Sequence, residues 1–205
     1  MTTIKTLTSG VALGAVITLA SAFTSATAAD LSKVPSGAYS VDDTHAYINF
    51  QYNHLGLSNP TLSFDDFTID MNLDVEDPTK STVSVSIDTD SVITGSAIWK
   101  DHLTGGKWLN TAEYPKITFQ SNSIEANEDG TYAVNGDVTV KDVTQPLTMT
   151  ITINGAMNHP MNGKPVVGVD GTGNLLRSAF GLGKNAPFIS DEVALNISAE
   201  MFKNQ

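Results

Sequence analysis

Cysteine is absent from the 205 residues, which excludes a disulfide frame and any Cys-based metal or redox site. Stability must come from packing alone. Positive charge is scarce as well. Lys and Arg number 11 against 22 Asp and Glu, giving a formal net charge of -11, and Arg177 is the single arginine. A surface of that sign repels phosphate backbones and anionic membrane surfaces, so nucleic acid is not an expected partner. Aromatic residues make up only 7 % of the chain, few for filling a dry core between two sheets. The histidines form no H-x-H or HExxH pattern, so no metal site is expected. His45 and His54 are nine residues apart, an odd spacing that puts them on opposite faces of a regular strand. There is no G-x-S-x-G elbow, and GTGNLL carries only part of a dinucleotide fingerprint within a strand pattern. No catalytic residue and no cofactor is therefore expected.

The N-terminus stands apart. Lys5 precedes the apolar run GVALGAVITLASAF, and small residues end it at ATA-AD. This is the pattern of a secretory signal peptide over residues 1–29, with a run shorter than the ~18 residues of a spanning helix. Cleavage removes Lys5 and no acid, moving 11 basic residues to 10 against 22 acids, from -11 to -12. No later stretch is apolar enough to span a bilayer, so an exported protein without stable membrane insertion is expected. Residues 30–205 are the right size for one domain.

What is present is a period of two. YINFQYNH sets Ile48, Phe50 and Tyr52 against Asn49, Gln51 and Asn53. FTIDMNLDVE sets Phe67, Ile69, Met71, Leu73 and Val75 against Thr68, Asp70, Asn72 and Asp74. TVSVSID, KITFQSNSI, YAVNGDVTV, LTMTITI and VALNISAEM repeat the scheme, and EDPTKS, ANEDGT, KDVTQP and NGKP punctuate it with turns. This reads as an all-β chain of about eight antiparallel strands, each with one apolar face. The polar faces of Ser, Thr, Asn and Asp offer no second apolar set. A sandwich and a barrel both accommodate such strands, and the shortage of bulky side chains favours a barrel with interior space. Gly168, Gly171 and Gly173 in VVGVDGTGNLL suit strand bending or close backbone approach.

The ordered motifs YSVDDTHAYINFQYNHLG, SVSIDTDSVIT, KDHLTGGKWLNTAEYPKITFQS, GDVTVKDVTQPLTMTI and RSAFGLGKNAPFISDEVALNISAE resemble the YceI-like family of periplasmic polyisoprenoid-binding proteins over about residues 38 to 203. The resemblance implies an extended, lipocalin-like antiparallel barrel that encloses a long apolar chain, an isoprenoid or another amphiphilic lipid. The chain departs from the family pattern at Lys100 (usually Arg), at Trp108-Leu109 (usually Phe-Phe or Phe-Leu) and at Ser63 (usually Gly).

On that frame the inward faces nominate Phe50, Phe67, Ile87, Phe119, Val140, Met149 and Ile197 as ligand-lining residues. WKDHLTGGKWLNTAEYPKITF, residues 99–119, holds both tryptophans and becomes a connection across one barrel end. SAIWKDHL reads as a short amphipathic helix, ended by Gly105-Gly106. Trp99, Leu103, Trp108 and Leu109 would cap the interior, with His102, Lys100 and Lys107 around the mouth. That cap is either a fixed plug or a gate. Arg177 in LLRSAFG suits a rim position facing an acid or a ligand head, or a buried ion pair. Three functions compete: a binding protein for an isoprenoid-type lipid, an enzyme acting on such a lipid, and a stress-related scavenger with an incidental cavity. No mutually positioned polar pair on the inward faces recommends the enzyme.

Overall fold

A computed structural model describes residues 29–205; the expected signal peptide lies outside the described residues except for its last position. Among the described residues ten strands follow one another: β1 (Gly37–Gln51), β2 (Thr61–Phe64), β3 (Phe67–Leu73), β4 (Thr82–Asp88), β5 (Val92–Ile93), β6 (Lys116–Ala126), β7 (Tyr132–Val140), β8 (Val143–Asn158), β9 (Pro165–Leu176) and β10 (Glu192–Lys203). One α-helix, α1 (Ala97–Thr104), lies between β5 and β6. The sheet runs β10-β9-β8-β7-β6-β4-β3-β1-β2-β5, and β10 also pairs with β1. The result is a closed antiparallel ring of eight strands, β1, β3, β4 and β6 to β10. Closure leaves the ring without an unpaired edge. The expected barrel of about eight strands, with a helical connection over one end, is the observed architecture.

The length of β1 explains the two extra strands. Its first residues pair with β3, Gly37 opposite Leu73, whereas its last residues pair with β2, Ile48 opposite Phe64. β2 takes the flank that β3 has left, and β5 pairs with β2 in turn. Between Val41 and Ala46 the pairing of β1 with β10 shifts register, so DDTH bulges from the ladder. Smaller irregularities fall between Ser121 and Ser123 on β6 and between Ile153 and Gly155 on β8. Bulges of this kind bend and coil a sheet.

Glycine supplies the close approaches that bending demands. A β-carbon at Gly136 would overlap the Gln120 carbonyl oxygen and lie 2.5 Å from Phe119 Cζ. One at Gly173 would overlap the Met149 sulfur, and one at Gly171 would meet Ile151 Cδ1 at 2.8 Å. Gly168 is different. Its nearest neighbour would be Asn154 Cβ at 3.8 Å, an ordinary contact, so its expected role in close approach does not hold.

The buried side chains form two clusters. One draws on β1 to β5, with Tyr39, Ile48, Leu62, Phe64, Ile69, Leu73 and Ile87, extends to β8, β9 and β10 through Ala156, Val167, Ala199 and Met201, and includes Leu31 and Val34 from the segment before β1. The other draws on β6 to β8, with Ile124, Val134, Val138, Val140, Leu147 and Met149, and takes in Leu109 and Phe180. Both clusters border a hollow interior.

Among the described residues no helix is long and apolar enough to cross a membrane.

Candidate ligand cavity

A cavity of about 770 Å³ occupies the barrel, within the size range of small-molecule sites. Pro78 and Ser81 line it near the β3–β4 connection; His54, Ser58, Lys184 and Asn185 line it at the opposite end, from the β1–β2 and β9–β10 connections. Between them the wall is aliphatic and aromatic. The inward positions of every strand but β5 supply it, such as Val83, Val85 and Ile87 from β4 and Val134, Val138 and Val140 from β7. Period-two alternation is the cause: each strand sends its apolar residues inward and its Ser, Thr and Asp outward.

Among the residues expected from sequence, Phe50, Ile87, Phe119, Val140, Met149 and Ile197 stand on the wall. Phe50 stacks on Phe64 with ring centroids 5.3 Å apart. Phe67 does not line the cavity. It is the first residue of β3, beside the Asp65-Asp66 turn, and packs half-buried against the first cluster.

The capping connection is assembled as follows. Ser96 caps α1, its hydroxyl accepting from the Trp99 amide at 3.4 Å, and the helix stops at Gly105. Trp99 and Leu103, four residues apart, share one helix face and line the cavity together with His102, Trp108 and Leu109. Ile98 points elsewhere and is 73 % exposed. The two tryptophans meet edge to face, centroids 6.1 Å apart. The returning chain is held by backbone bonds: Leu109 and Thr111 amides donate to the Leu103 and Thr104 carbonyls, both at 3.0 Å. Buried Thr89 fastens the far end, its hydroxyl donating to the Tyr114 carbonyl at 2.7 Å. Lys100 and Lys107 are not on the cavity wall.

Arg177 stands on the cavity lining, as expected for a rim position, but its partners are backbone carbonyls and not an acid. It is buried, and its guanidinium donates to four backbone carbonyls: Ser190 at 2.8 Å, Ile189 at 2.8 Å, Lys184 at 2.9 Å and Leu182. The Trp108 ring centroid is 5.8 Å from its central carbon. Four of its five N–H groups thus tie the β9–β10 connection together at the cavity mouth. Asp191 closes the same connection by accepting from the Ser178 amide and hydroxyl at 2.8 and 2.5 Å. Those bonds, with a smaller contribution from Arg177, hold its carboxyl below the usual range. Burial pushes the Tyr52 phenol above its ordinary value, with Trp99 and Arg177 acting against it.

The mouth residues His54, Ser58, Lys184, Asn185 and Ile189 escaped sequence reasoning because they lie outside the named strands, where alternation says nothing. A second grouping lies on the outside of the barrel. Asp42, His45 and Glu200 bring their ligand-capable atoms within 4.8 Å of one another, and the β1 bulge makes this possible. His45 Nδ1 is 2.8 Å from Asp42 Oδ2. That bond, and the Thr44 amide, hold the Asp42 carboxyl down to about 2; the same bond raises the His45 imidazole, aided by Glu200. Among the described residues no buried side-chain nitrogen or oxygen lacks a hydrogen-bond partner.

Comparison with known proteins places this geometry. A family model for the YceI-like domain matches residues 39–201. A UPF0312 protein of Yersinia pestis (strain Pestoides F) is 36 % identical over 193 residues, covering 93 % of this chain and 94 % of its own. A Shewanella UPF0312 protein is 35 % identical over 173 residues, 82 % and 90 % of the two chains. Among solved structures, Burkholderia cenocepacia BcnA superposes with a TM-score of 0.70 at 23 % identity, over 78 % of this chain and 98 % of its own. A polyisoprenoid binding domain from Saccharophagus degradans, implicated in plant cell wall breakdown, gives a TM-score of 0.62 at 13 % identity, over 83 % and 100 %.

Proposed function

The chain belongs to the YceI-like family, and from that premise we propose that it is an exported periplasmic protein that encloses the apolar chain of an isoprenoid or related amphiphilic lipid, for carriage, storage or stress protection. One observation carries the reading: the interior of the barrel is a cavity of about 770 Å³ with an almost wholly hydrocarbon wall. Its polar lining residues His54, His102, Lys184 and Asn185 gather at one end, where a head group would sit. The polyisoprenoid binding domain that shares this fold supports the same ligand class, and the N-terminal sequence supports export.

The energetics suffice without catalytic chemistry. Each buried methylene contributes about 0.8 kcal/mol, so fifteen shielded carbons give about 12 kcal/mol. Association costs at least about 4 kcal/mol, which leaves about 8 kcal/mol, a micromolar dissociation constant. Among the described residues no acid paired with a base lines the interior, and the proposal assigns the protein no reaction.

Native mass spectrometry on protein purified from its own periplasm tests this. The expected result is a co-purifying lipid with a long unsaturated or saturated hydrocarbon chain. An empty barrel that takes up no isoprenoid would refute the reading, and chemical turnover of the bound lipid would replace it with an enzyme.

A further inference from the structure

The mouth of the cavity has an outer surface as well as an inner one. Beside the α1 connection, two chain segments contribute to it, NHLGLSNP (residues 53–60) and GKNAPFI (residues 183–189). They are bonded to each other: the Leu55 amide donates to the Phe188 carbonyl at 2.9 Å, and the Ser190 amide to the Asn53 carbonyl at 2.9 Å. Arg177 braces the second segment from below through the carbonyls of Lys184 and Ile189. His54, Ser58, Lys184, Asn185 and Ile189 face the cavity. Their neighbours Leu55, Leu57 and Phe188 do not; they are 52 %, 82 % and 73 % exposed. Ile98 on α1, next to the cavity-lining Trp99, adds a fourth large apolar side chain in solvent.

These side chains do nothing for the folded barrel. Leu55 even occupies a costly position. It and Gly56 have φ of 60° and 71°, and the Leu57 amide bonds back to the His54 carbonyl. This is a turn with two left-handed central residues, where Asn or Asp ordinarily precedes Gly. Neither segment contains a carboxylate, in a chain with twice as many acids as bases. Carboxylates are absent from these two segments, while α1 carries exposed Asp101, and Asp191-Glu192 follow the second segment. Braced, apolar, free of carboxylates along their own length and placed at the opening of a hydrocarbon-lined cavity, the two segments match the boundary between lipid head groups and acyl chains.

We propose that this rim docks reversibly on a phospholipid bilayer, with Leu55, Leu57 and Phe188 entering the head-group boundary so that the cavity mouth abuts the hydrocarbon. The inference rests on the lipid-binding reading and gives it a direction of entry. A lipid tail then moves between bilayer and barrel without crossing water. A second copy of the chain on the same rim would instead cork both cavities. Loop tips alone make the contact, so attachment is peripheral.

The test is flotation of the signal-peptide-free protein with phosphatidylcholine vesicles that contain no isoprenoid, comparing the natural sequence with Leu57→Asp/Phe188→Asp. Both positions are exposed and outside the cavity wall, and melting curves check that the variant folds. The proposal expects vesicle binding by the natural sequence and at least a tenfold weaker partition for the variant. Failure of the natural sequence to float, or equal flotation of both, overturns it. So does a concentration-dependent dimer in sedimentation that the substitutions dissolve while vesicles go unbound. Cavity occupancy is read separately, by mass spectrometry after loading an isoprenoid from detergent: rim docking with a cavity that stays empty would sink the ligand reading alone, and loading without docking would sink the rim alone.

Discussion

Replacing Arg177 by Met keeps the aliphatic stem and removes the guanidinium, which makes it a sharp probe of the mouth. Four carbonyls, at Leu182, Lys184, Ile189 and Ser190, lose their donor. Each such bond is worth about 1 kcal/mol net where water can replace the donor, and more where it cannot. The β9–β10 connection lies at the barrel end, so the lower figure applies, and the local loss is about 4 kcal/mol. That energy is concentrated in one segment. The strands of the ring keep their ladders, and local opening is therefore the main consequence. At about 1.4 kcal/mol per factor of ten, the amides that depend on this connection should exchange about a thousandfold faster. Hydrogen exchange at Leu182, Ile189 and Ser190 measures it, with Phe119 in β6 as an unaffected reference. Arg177→Lys should fall between, because one ammonium cannot reach four carbonyls in a plane. If exchange over 182–190 changes less than tenfold, the carbonyl contacts do not hold the segment. Arg177 would then return to its expected place as a head-group ligand.

Gly136→Ala should destabilise the barrel by about 1–3 kcal/mol in urea denaturation, since the new methyl overlaps the Gln120 carbonyl. Gly155→Ala, where a β-carbon meets nothing within 4 Å, should be neutral or slightly stabilising. Imidazole NMR should find His45 titrating above its ordinary 6.5 and Asp42→Asn returning it downward. The linkage has a definite sign. The raised histidine contributes stability below pH 6.5 and loses it as pH rises through its folded value; depressed Asp42 contributes above pH 3.8 and loses it as pH falls toward about 2. Lipid loading should alter tryptophan emission, because Trp99 and Trp108 are the only tryptophans and both line the cavity. Trp108→Ala should speed lipid release more than it slows uptake, whereas a fixed plug predicts silent fluorescence and a core-like loss of about 3–5 kcal/mol.

The wall and the capping connection with Trp99, His102, Leu103, Trp108 and Leu109 were legible in the sequence, and the two loops that complete the mouth were not. Alternation along β4, β6, β7, β8 and β10 identifies Ile87, Phe119, Val140, Met149 and Ile197 because regular strands preserve a period of two. Phe67 shows where that reasoning stops: a side chain at a strand's first residue can join the core beside the cavity without facing it. Arg177 could not be assigned because its partners are backbone carbonyls, which every residue carries and no motif marks. The DDTH bulge was hidden for a related reason. Four polar residues look like a boundary, and only the pairing of β1 with β10 on both sides shows that the strand continues through them. Ring closure itself depends on partners as far apart in sequence as Tyr39 and Lys203, a pairing that no local pattern encodes.

That seam sets the order in which the molecule can become itself. Tyr39 lies opposite Lys203, so one flank of the first strand waits for the last. A chain delivered from its N-terminus can form the meander from β3 through β9 by neighbour-to-neighbour pairing, but it remains a curled sheet with two open margins until β10 arrives. Contacts of such sequence separation are slow to form. During that interval the hydrocarbon face that will become the cavity wall is accessible from the side, along the whole length of a strand. Loading through a finished mouth and wrapping around a lipid during closure are thus different histories for the same final complex, and the second is open only to a chain that is still folding. A protein refolded in lipid-free buffer and one folded in the presence of lipid would then reach the same barrel with different contents.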